Sequence, residues 1–95
     1  MVIYIAGPIT GHFDYRNKFK EAEAMISKLG HTVINPSTLP PGLKSNEDYM
    51  HICKSMIDVA DGVYFLKGWE NSKGAMEEHS YSVDKDKMIF EESNS

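Results

Sequence analysis

The chain has 95 residues, of which 41% are hydrophobic and 25% are charged, which indicates one small globular domain. Its formal net charge of −4 argues against polymeric nucleic acid as a partner, and no apolar run approaches the roughly 20 residues of a membrane span. The single cysteine, Cys53, excludes an internal disulfide, and the four histidines lack zinc-like spacing, so we expect a cytoplasmic protein without metal or cofactor.

The first predicted element is a short buried strand, Val2 to Ala6, which Gly7-Pro8 ends. From Asp14 onward apolar residues recur at spacings of three and four, which predicts a helix that Asp14 caps and Gly30 ends. The apolar face of this helix consists of Phe19, Ala22, Ile26 and Leu29.

The second predicted strand is Thr32 to Ile34, and Asn35-Pro36 breaks it. Residues 36–44 contain three prolines and predict a loop. A second helix begins with Ser45 as its N-cap and ends at Asp61-Gly62. The apolar stripe of this helix consists of Tyr49, Ile52, Cys53, Met56, Ile57 and Ala60.

The last part of the chain continues the alternation of strands and helices. Val63 to Leu66 is apolar throughout and predicts a third strand, followed by a loop at Lys67 to Asn71. A third helix runs from its cap Ser72 to about Asp84, and Met88 to Phe90 predicts a fourth strand. Residues 91–95 form a polar tail that we expect to be frayed.

Four strands that alternate with three helices predict an α/β fold. Because the strands are nearly continuous apolar runs, we expect a parallel sheet of about four strands covered by helices on both faces. Residues 1–90 then form a single domain. Such a small core favours self-association, so we expect a homodimer or a larger homo-oligomer.

Three loops should converge where the strands end, which is where parallel α/β sheets bind ligands. They are Gly7-Pro8-Ile9-Thr10-Gly11, Asn35-Pro36 and the segment from Gly68 to Gly74. The first loop is flanked by glycines, so its backbone can approach a ligand and offer N–H groups to an anion. The alternative is a tight turn with no further role.

The segment around the third loop contains the strongest candidates for functional residues. Trp69 can stack on a base, or it can form a lid on the core. Ser72 and Gly74 open a helix whose N-terminal N–H groups favour a phosphate, although Ser72 can equally be a plain cap. Glu78 shares a helix face with Gly74, so its carboxylate can reach a sugar's anomeric carbon. The alternative for Glu78 is a solvated acidic face.

Several motifs together resemble the nucleoside 2-deoxyribosyltransferase-like family. They are Tyr4-Ile-Ala-Gly-Pro8, Asp61 before the third strand, and Ser72-x-Gly74-x-x-x-Glu78. Within that family the chain is similar to a small subgroup of unknown function that is frequent in phages and prophages. The pattern of this subgroup is matched by Asn35-Pro36, Tyr49-Met50, Leu66-x-Gly68-Trp69-Glu70 and Ser72-x-Gly74-Ala75.

The resemblance implies a three-layer flavodoxin-like or Rossmann-like sheet and cleavage of the bond between a base and a (deoxy)ribose, by hydrolysis or by transfer. Glu78 matches the family's nucleophile, and Tyr4 matches a tyrosine that orients it. Ser72 resembles the branch that hydrolyses 2′-deoxynucleoside 5′-monophosphates, where a serine contacts the phosphate, and Trp69 or Met50 would wall the base. The substrate-binding residues expected on these grounds are Gly7, Pro8, Ile9, Thr10, Gly11, Asn35, Met50, Cys53, Asp61, Trp69, Ser72 and Gly74.

One position departs from the family pattern. Enzymes of the family carry an aspartate eight residues before the position of Asp61, and this chain has Cys53 there. A thiol is a poor general acid for a leaving base, so a nucleotide-binding module with weak or no turnover, a ligand sensor or sponge, is an alternative function. A protein-interaction domain is a third, but it leaves the glycine-rich loop and Ser72 without a role.

Overall fold

Strands and helices alternate along the part of the chain that the computed structural model describes, residues 1–8, 14–39 and 45–92. In those residues they are β1 Val2–Ala6, α1 Tyr15–Lys28, β2 Thr32–Ile34, α2 Asn46–Val59, β3 Gly62–Phe65, α3 Lys73–Asp84 and β4 Met88–Glu91. No helix in the described ranges is both long and apolar enough to cross a membrane.

The strands form one parallel sheet in the order β2-β1-β3-β4. Tyr4 of β1 pairs with Ile34 of β2 on one side and with Val63 of β3 on the other. The chain moves outward from β1 to β2 and then returns across β1 to β3, so the strand order reverses between β1 and β3. Ligands of parallel α/β sheets bind outside the carboxyl ends of the strands at such a reversal.

Side chains that alternate along β1 fill two separate cores. Ile3 and Ile5 pack with Phe19 and Ile26 of α1 on one face of the sheet. Tyr4 and Ala6 point to the opposite face, where the buried cluster includes Cys53, Ile57 and Ala60 from the region of α2. Helices therefore cover both faces, and the predicted three-layer α/β fold is confirmed.

The end of α1 at Gly30 is as predicted, whereas Leu29 and Asp14 differ from the prediction. Leu29 is 70% exposed because the helix ends at Lys28, and the chain turns away through Gly30 at a φ of +95°. Asp14 occupies the N-cap position, but its side chain makes no capping hydrogen bond. Its backbone, at φ −100° and ψ 15°, lacks the extended conformation in which an N-cap side chain reaches the first turn.

Two predicted loops contain short 3-10 turns, Pro36–Thr38 and Trp69–Asn71. The predicted tail also differs, because β4 extends to Glu91, which pairs with Phe65. Glu92 then accepts a hydrogen bond from the backbone N–H of Lys67 at 2.7 Å, so these first two tail residues are bonded to the fold. The predicted caps of α2 and α3 are confirmed, since Ser45 accepts from the N–H of Asp48 and Ser72 from that of Ala75.

Candidate functional site

A buried hydrogen bond joins β1 to α3 beside the strand reversal. The hydroxyl of Tyr4 donates to Oε2 of Glu78. Tyr4 is fully buried and Glu78 is 6% exposed, so the carboxylate meets protein rather than water. We refer to these two residues, with Met50, Cys53 and Gly74 around them, as the Tyr4–Glu78 site.

The sequence of α3 explains why a glutamate is turned inward. The buried residues of this helix are Ala75, Glu78 and Ser82, spaced by three and four, so they form its inner face. Ser82 donates from its hydroxyl to the carbonyl of Glu78 at 2.7 Å, which satisfies the one other buried polar side chain on that face. Glu78 is therefore placed by the helix period and held by Tyr4.

The environment of Glu78 raises its pKa to about 7 from a model-compound value of 4.5. Burial is the main cause, because it penalises the charged carboxylate. The hydrogen bond from Tyr4 opposes burial, the nearby charge of Glu77 raises the pKa further, and Lys54 lowers it. Lys54 and Glu77 form a partly exposed ion pair at 2.8 Å. At neutral pH Glu78 is thus present in both protonation states.

Three other groups near Glu78 are neutral. Cys53 of α2 is 1% exposed and lies beside the Tyr4 hydroxyl, and burial raises the pKa of its thiol to about 11. Burial also raises the pKa of Tyr4 well above its usual value and that of Tyr49 to about 12. A thiol and two phenols therefore keep their protons at physiological pH.

Met50 covers the start of α3. A Cβ built on Gly74 would lie 3.4 Å from the terminal methyl of Met50, so the glycine lets α2 and α3 approach closely at this point. This methyl group therefore lies against the helix face that Gly74 shares with Glu78. Met50 has a flexible, unbranched side chain.

Trp69 is half-buried and packs against the core cluster that contains Tyr4 and Cys53. Its indole ring stacks on His79, with ring centroids 4.4 Å apart and planes 13° apart, and also contacts Phe65. Its Nε1–H donates to Glu91 at 2.9 Å. Trp69 therefore forms a lid on the core, which was the alternative to base stacking.

Two other expected binding residues serve the fold. Asp61 accepts a hydrogen bond from the N–H of Val2 at 2.8 Å, which puts it at the amino ends of the strands and away from the site. Asn35 accepts from the N–H of Ser37 and donates to Glu23, each at 2.9 Å, so its amide stabilises the turn after β2.

The first loop is described only in part. Gly7 is buried, and a Cβ there would lie 2.8 Å from Cβ of Leu66, so a glycine is needed where the ends of β1 and β3 meet. Pro8 lines a cavity of about 210 Å³ whose wall includes Lys18 and Lys67. The other predicted members, Ile9, Thr10 and Gly11, lie outside the described residues.

Sequence reasoning missed two residues near the site. Tyr49 donates from its hydroxyl to the carbonyl of Pro36 at 3.2 Å, and it lies near enough to Cys53 and Glu78 for both to raise its pKa. Arg16 lies close enough to lower the pKa of Tyr49, so it brings a positive charge toward this side of the sheet. The spacing of four between Tyr49 and Cys53 was a signal for the tyrosine, because it puts both on one face of α2.

Among the described residues, no group of three or more His, Cys, Asp or Glu side chains could hold a metal ion. The arrangement instead offers one carboxylate, oriented by a phenol and shielded from water. A carboxylate so placed can attack an electrophilic carbon and form a covalent ester.

Two solved structures share the fold at low sequence identity. A 2-deoxyribosyltransferase from Leishmania mexicana matches with a TM-score of 0.76 and 19% identity, over 99% of this chain and 65% of that chain. A 2-deoxyribosyltransferase from Bacillus psychrosaccharolyticus matches with a TM-score of 0.68 and 21% identity, over 100% of this chain and 75% of that chain. This chain thus spans just under two thirds of the length of the Leishmania protein.

A family model matches nearly the whole chain. Residues 1–91 match the model described as a domain of unknown function, DUF4406, and the chain belongs to that family. No curated protein matches the chain. The family description names no activity.

Proposed function

We propose that this member of the DUF4406 family cleaves the N-glycosidic bond of a nucleoside or a (deoxy)nucleoside 5′-monophosphate, by hydrolysis or by deoxyribosyl transfer. The observation that carries the proposal is the buried hydrogen bond from Tyr4 to the carboxylate of Glu78. The fold shared with two 2-deoxyribosyltransferases supports the same reading.

In the proposed reaction Glu78 is the nucleophile. Tyr4 holds Oε2, which leaves Oε1 to attack C1′ of the sugar while the bond between C1′ and the base breaks. The base takes the electron pair of that bond and a proton from solvent, and a glycosyl ester of Glu78 remains. Water or a second base then attacks C1′ and loses a proton to solvent, and the carboxylate of Glu78 leaves with Tyr4 still bonded to Oε2.

Ser72 is the proposed phosphate contact. Its Oγ accepts a hydrogen bond from the N–H of Ala75 at 3.3 Å, so the hydroxyl proton remains available to a ligand. The N-terminus of α3 adds its unpaired N–H groups and the positive end of the helix dipole. A 5′-phosphate bound there would place its sugar toward Glu78, two turns into the same helix.

Binding requires a local rearrangement, because Glu78 is only 6% exposed. Met50 is the residue that we propose moves, since its terminal methyl lies against Gly74 at the start of α3. Once displaced, Met50 would wall the base. We assign this role to Met50 rather than to Trp69, whose ring is stacked on His79.

The test is base release, measured by chromatography at high protein concentration, from a panel of nucleosides and 5′-monophosphates that carry either neutral or cationic bases. The wild type should release a base from at least one compound, and Glu78→Gln should lower kcat/KM by about a thousandfold or more. Glu21→Gln, an exposed glutamate on α1, is the matched control and should retain activity. Absence of release from every compound by the wild type would refute the proposal.

A nucleotide-binding module without turnover, such as a phage-related ligand sensor or sponge, is the second candidate function. The observation that favours it is the neutral, buried thiol of Cys53 at the position where the related enzymes carry an aspartate. Under this candidate a nucleoside monophosphate raises the melting temperature without base release, and Cys53→Asp creates or strongly raises base release.

Self-association is also part of the proposal. β4 is an edge strand of the sheet, and its Met88 and Phe90 are 54% and 38% exposed. Exposed apolar residues on an edge strand are a common basis for contact between copies. Light scattering of the purified protein should give a dimer or a larger assembly, and a monomer at all concentrations would contradict this part.

A further inference from the structure

Five described side chains interact with Glu78 by charge or hydrogen bonding. One of them is a carboxylate, and the others are poor proton donors. Tyr4 and Cys53 are buried beside it, Tyr49 is half-buried nearby, and each of the three holds its proton far above neutral pH. The remaining two are Lys54 and Glu77, which are paired with each other, with side chains 33% and 49% exposed. Glu78 itself is therefore the one buried carboxyl group in this set.

A single buried carboxyl group restricts the chemistry. Glycosidases of the usual kind use two carboxyl groups, one as nucleophile and the other as the acid that protonates the leaving group. General acids work best with a pKa near the operating pH, and groups with pKa values of about 11 and 12 are far from it. If Glu78 attacks the sugar, no described neighbour is suited to protonate the departing base.

We propose that the substrates are N-glycosides whose base already carries a positive charge, such as an N-ribosyl pyridinium or an N7-alkylated purine nucleotide. This inference rests on the glycosidic activity proposed above, and it names the substrate class for the same site. A cationic base makes a general acid unnecessary, because it departs as a neutral molecule and needs no proton.

The charges balance in each step. Oε1 of Glu78 bonds to C1′ as the bond from C1′ to the ring nitrogen breaks, and the electron pair of that bond neutralises the positive nitrogen. Water then attacks C1′, the ester bond to Glu78 breaks, and the proton from water passes to solvent. The first step converts a cationic base and a carboxylate into a neutral base and a neutral ester group, and a site of low dielectric favours this loss of charge. A neutral nucleoside would instead leave an anionic base in the same surroundings.

The test compares substrates that differ by one methyl group. The two pairs are GMP with N7-methyl-GMP, and dGMP with N7-methyl-dGMP, and nicotinamide mononucleotide serves as the pyridinium. Base release is followed by chromatography, and release in the presence of Glu78→Gln is subtracted as background. We expect kcat/KM for a cationic member to exceed that of its neutral partner by about a hundredfold or more, the usual contribution of a general acid.

A substitution of Cys53 tests whether the lack of a second carboxyl group near Glu78 determines the preference for cationic bases. Cys53→Asp restores a carboxyl group beside Tyr4 and should narrow the ratio between cationic and neutral partners by about tenfold or more, chiefly by raising release of the neutral base. The wild-type ratio does not depend on this variant folding. The pH profile for nicotinamide mononucleotide, whose pyridinium charge does not titrate, should rise through the ionisation of Glu78 and show no falling limb up to about pH 9, since no acid has to stay protonated.

The outcomes separate the two proposals. Equal release of neutral and cationic bases by the wild type would overturn the substrate class and leave the glycosidic activity standing. Release of neither, with the cationic compounds included, would overturn both. Preferential release of the cationic base, lost in Glu78→Gln, would support both.

Discussion

The hydroxyl of Tyr4 donates a hydrogen bond to the carboxylate of Glu78, which lies 74 residues further along the chain, and both side chains are buried. The bond joins the middle of β1 to the second turn of α3, so it forms only when the sheet and its helices are assembled. It holds the carboxylate in one orientation, and burial removes most of its water. The ionisation of this one group therefore affects both the stability of the fold and the proposed activity.

Activity should rise with pH through the ionisation of Glu78. Burial raises the pKa of this carboxyl to about 7, and the nucleophile is the ionised form. We expect kcat/KM to increase about tenfold per pH unit below pH 7 and to level off above it. The measurement is a pH profile of base release. A profile that is already flat from pH 5 upward would show that the reacting carboxylate is not Glu78 in this environment.

The free energy of unfolding should fall as the pH rises, in contrast to the activity. A carboxyl whose pKa is higher in the folded state than in the unfolded state binds a proton on folding between pH 4.5 and about 7. The stabilisation is fully present below pH 4.5 and is lost as the pH rises through 7, by roughly 3 kcal/mol at most. Denaturant unfolding at pH 5 and pH 8 measures it. Glu78→Gln cannot ionise, so the difference between the two pH values should shrink in that variant.

Removal of the Tyr4 hydroxyl should raise the pKa of Glu78 further. The hydrogen bond from Tyr4 lowers that pKa, so Tyr4→Phe loses a contribution of about 1 kcal/mol to the carboxylate form. We expect the midpoint of the activity profile to move up by roughly half to one pH unit. Tyr81→Phe is the matched control, because its hydroxyl bonds Asp58 at the surface at 2.6 Å. A shift of equal size in both variants would rule out a specific role for Tyr4.

Trp69→Phe separates the lid role from base stacking. The substitution removes the Nε1–H bond to Glu91 and part of the stack on His79, so we expect a loss of roughly 1 to 2 kcal/mol in stability. Because these contacts hold the ring as a lid on the core, KM for the substrate should change little. Unfolding and steady-state kinetics measure the two effects. A large increase in KM with unchanged stability would instead indicate that Trp69 binds the base.

The element order could be predicted because local patterns determine it. Apolar runs of four or five residues define β1 and β3, and spacings of three and four define the helices. The caps Ser45 and Ser72 were also predictable, since each side chain bonds an N–H three residues later. The extension of β4 to Glu91 was not, because a polar residue there is retained by pairing with Phe65 and by the indole of Trp69.

The site could be predicted only in part, because its contacts are made between distant segments. The helix period predicted that Glu78 and Gly74 share one face, but it could not predict that the terminal methyl of Met50 covers Gly74. The roles of Trp69 and Asp61 depend on partners that are far away in sequence, His79 with Glu91 and the N–H of Val2. A pattern of residue types could not distinguish these structural bonds from ligand contacts.

The most direct test of the central claim is mass spectrometry of protein quenched during turnover. If Glu78 is the nucleophile, a glycosyl ester should be found on the peptide that contains Glu78, and Glu78→Gln should show neither the adduct nor base release above background. An ester on a different residue, or base release by Glu78→Gln at the wild-type rate, would contradict the account.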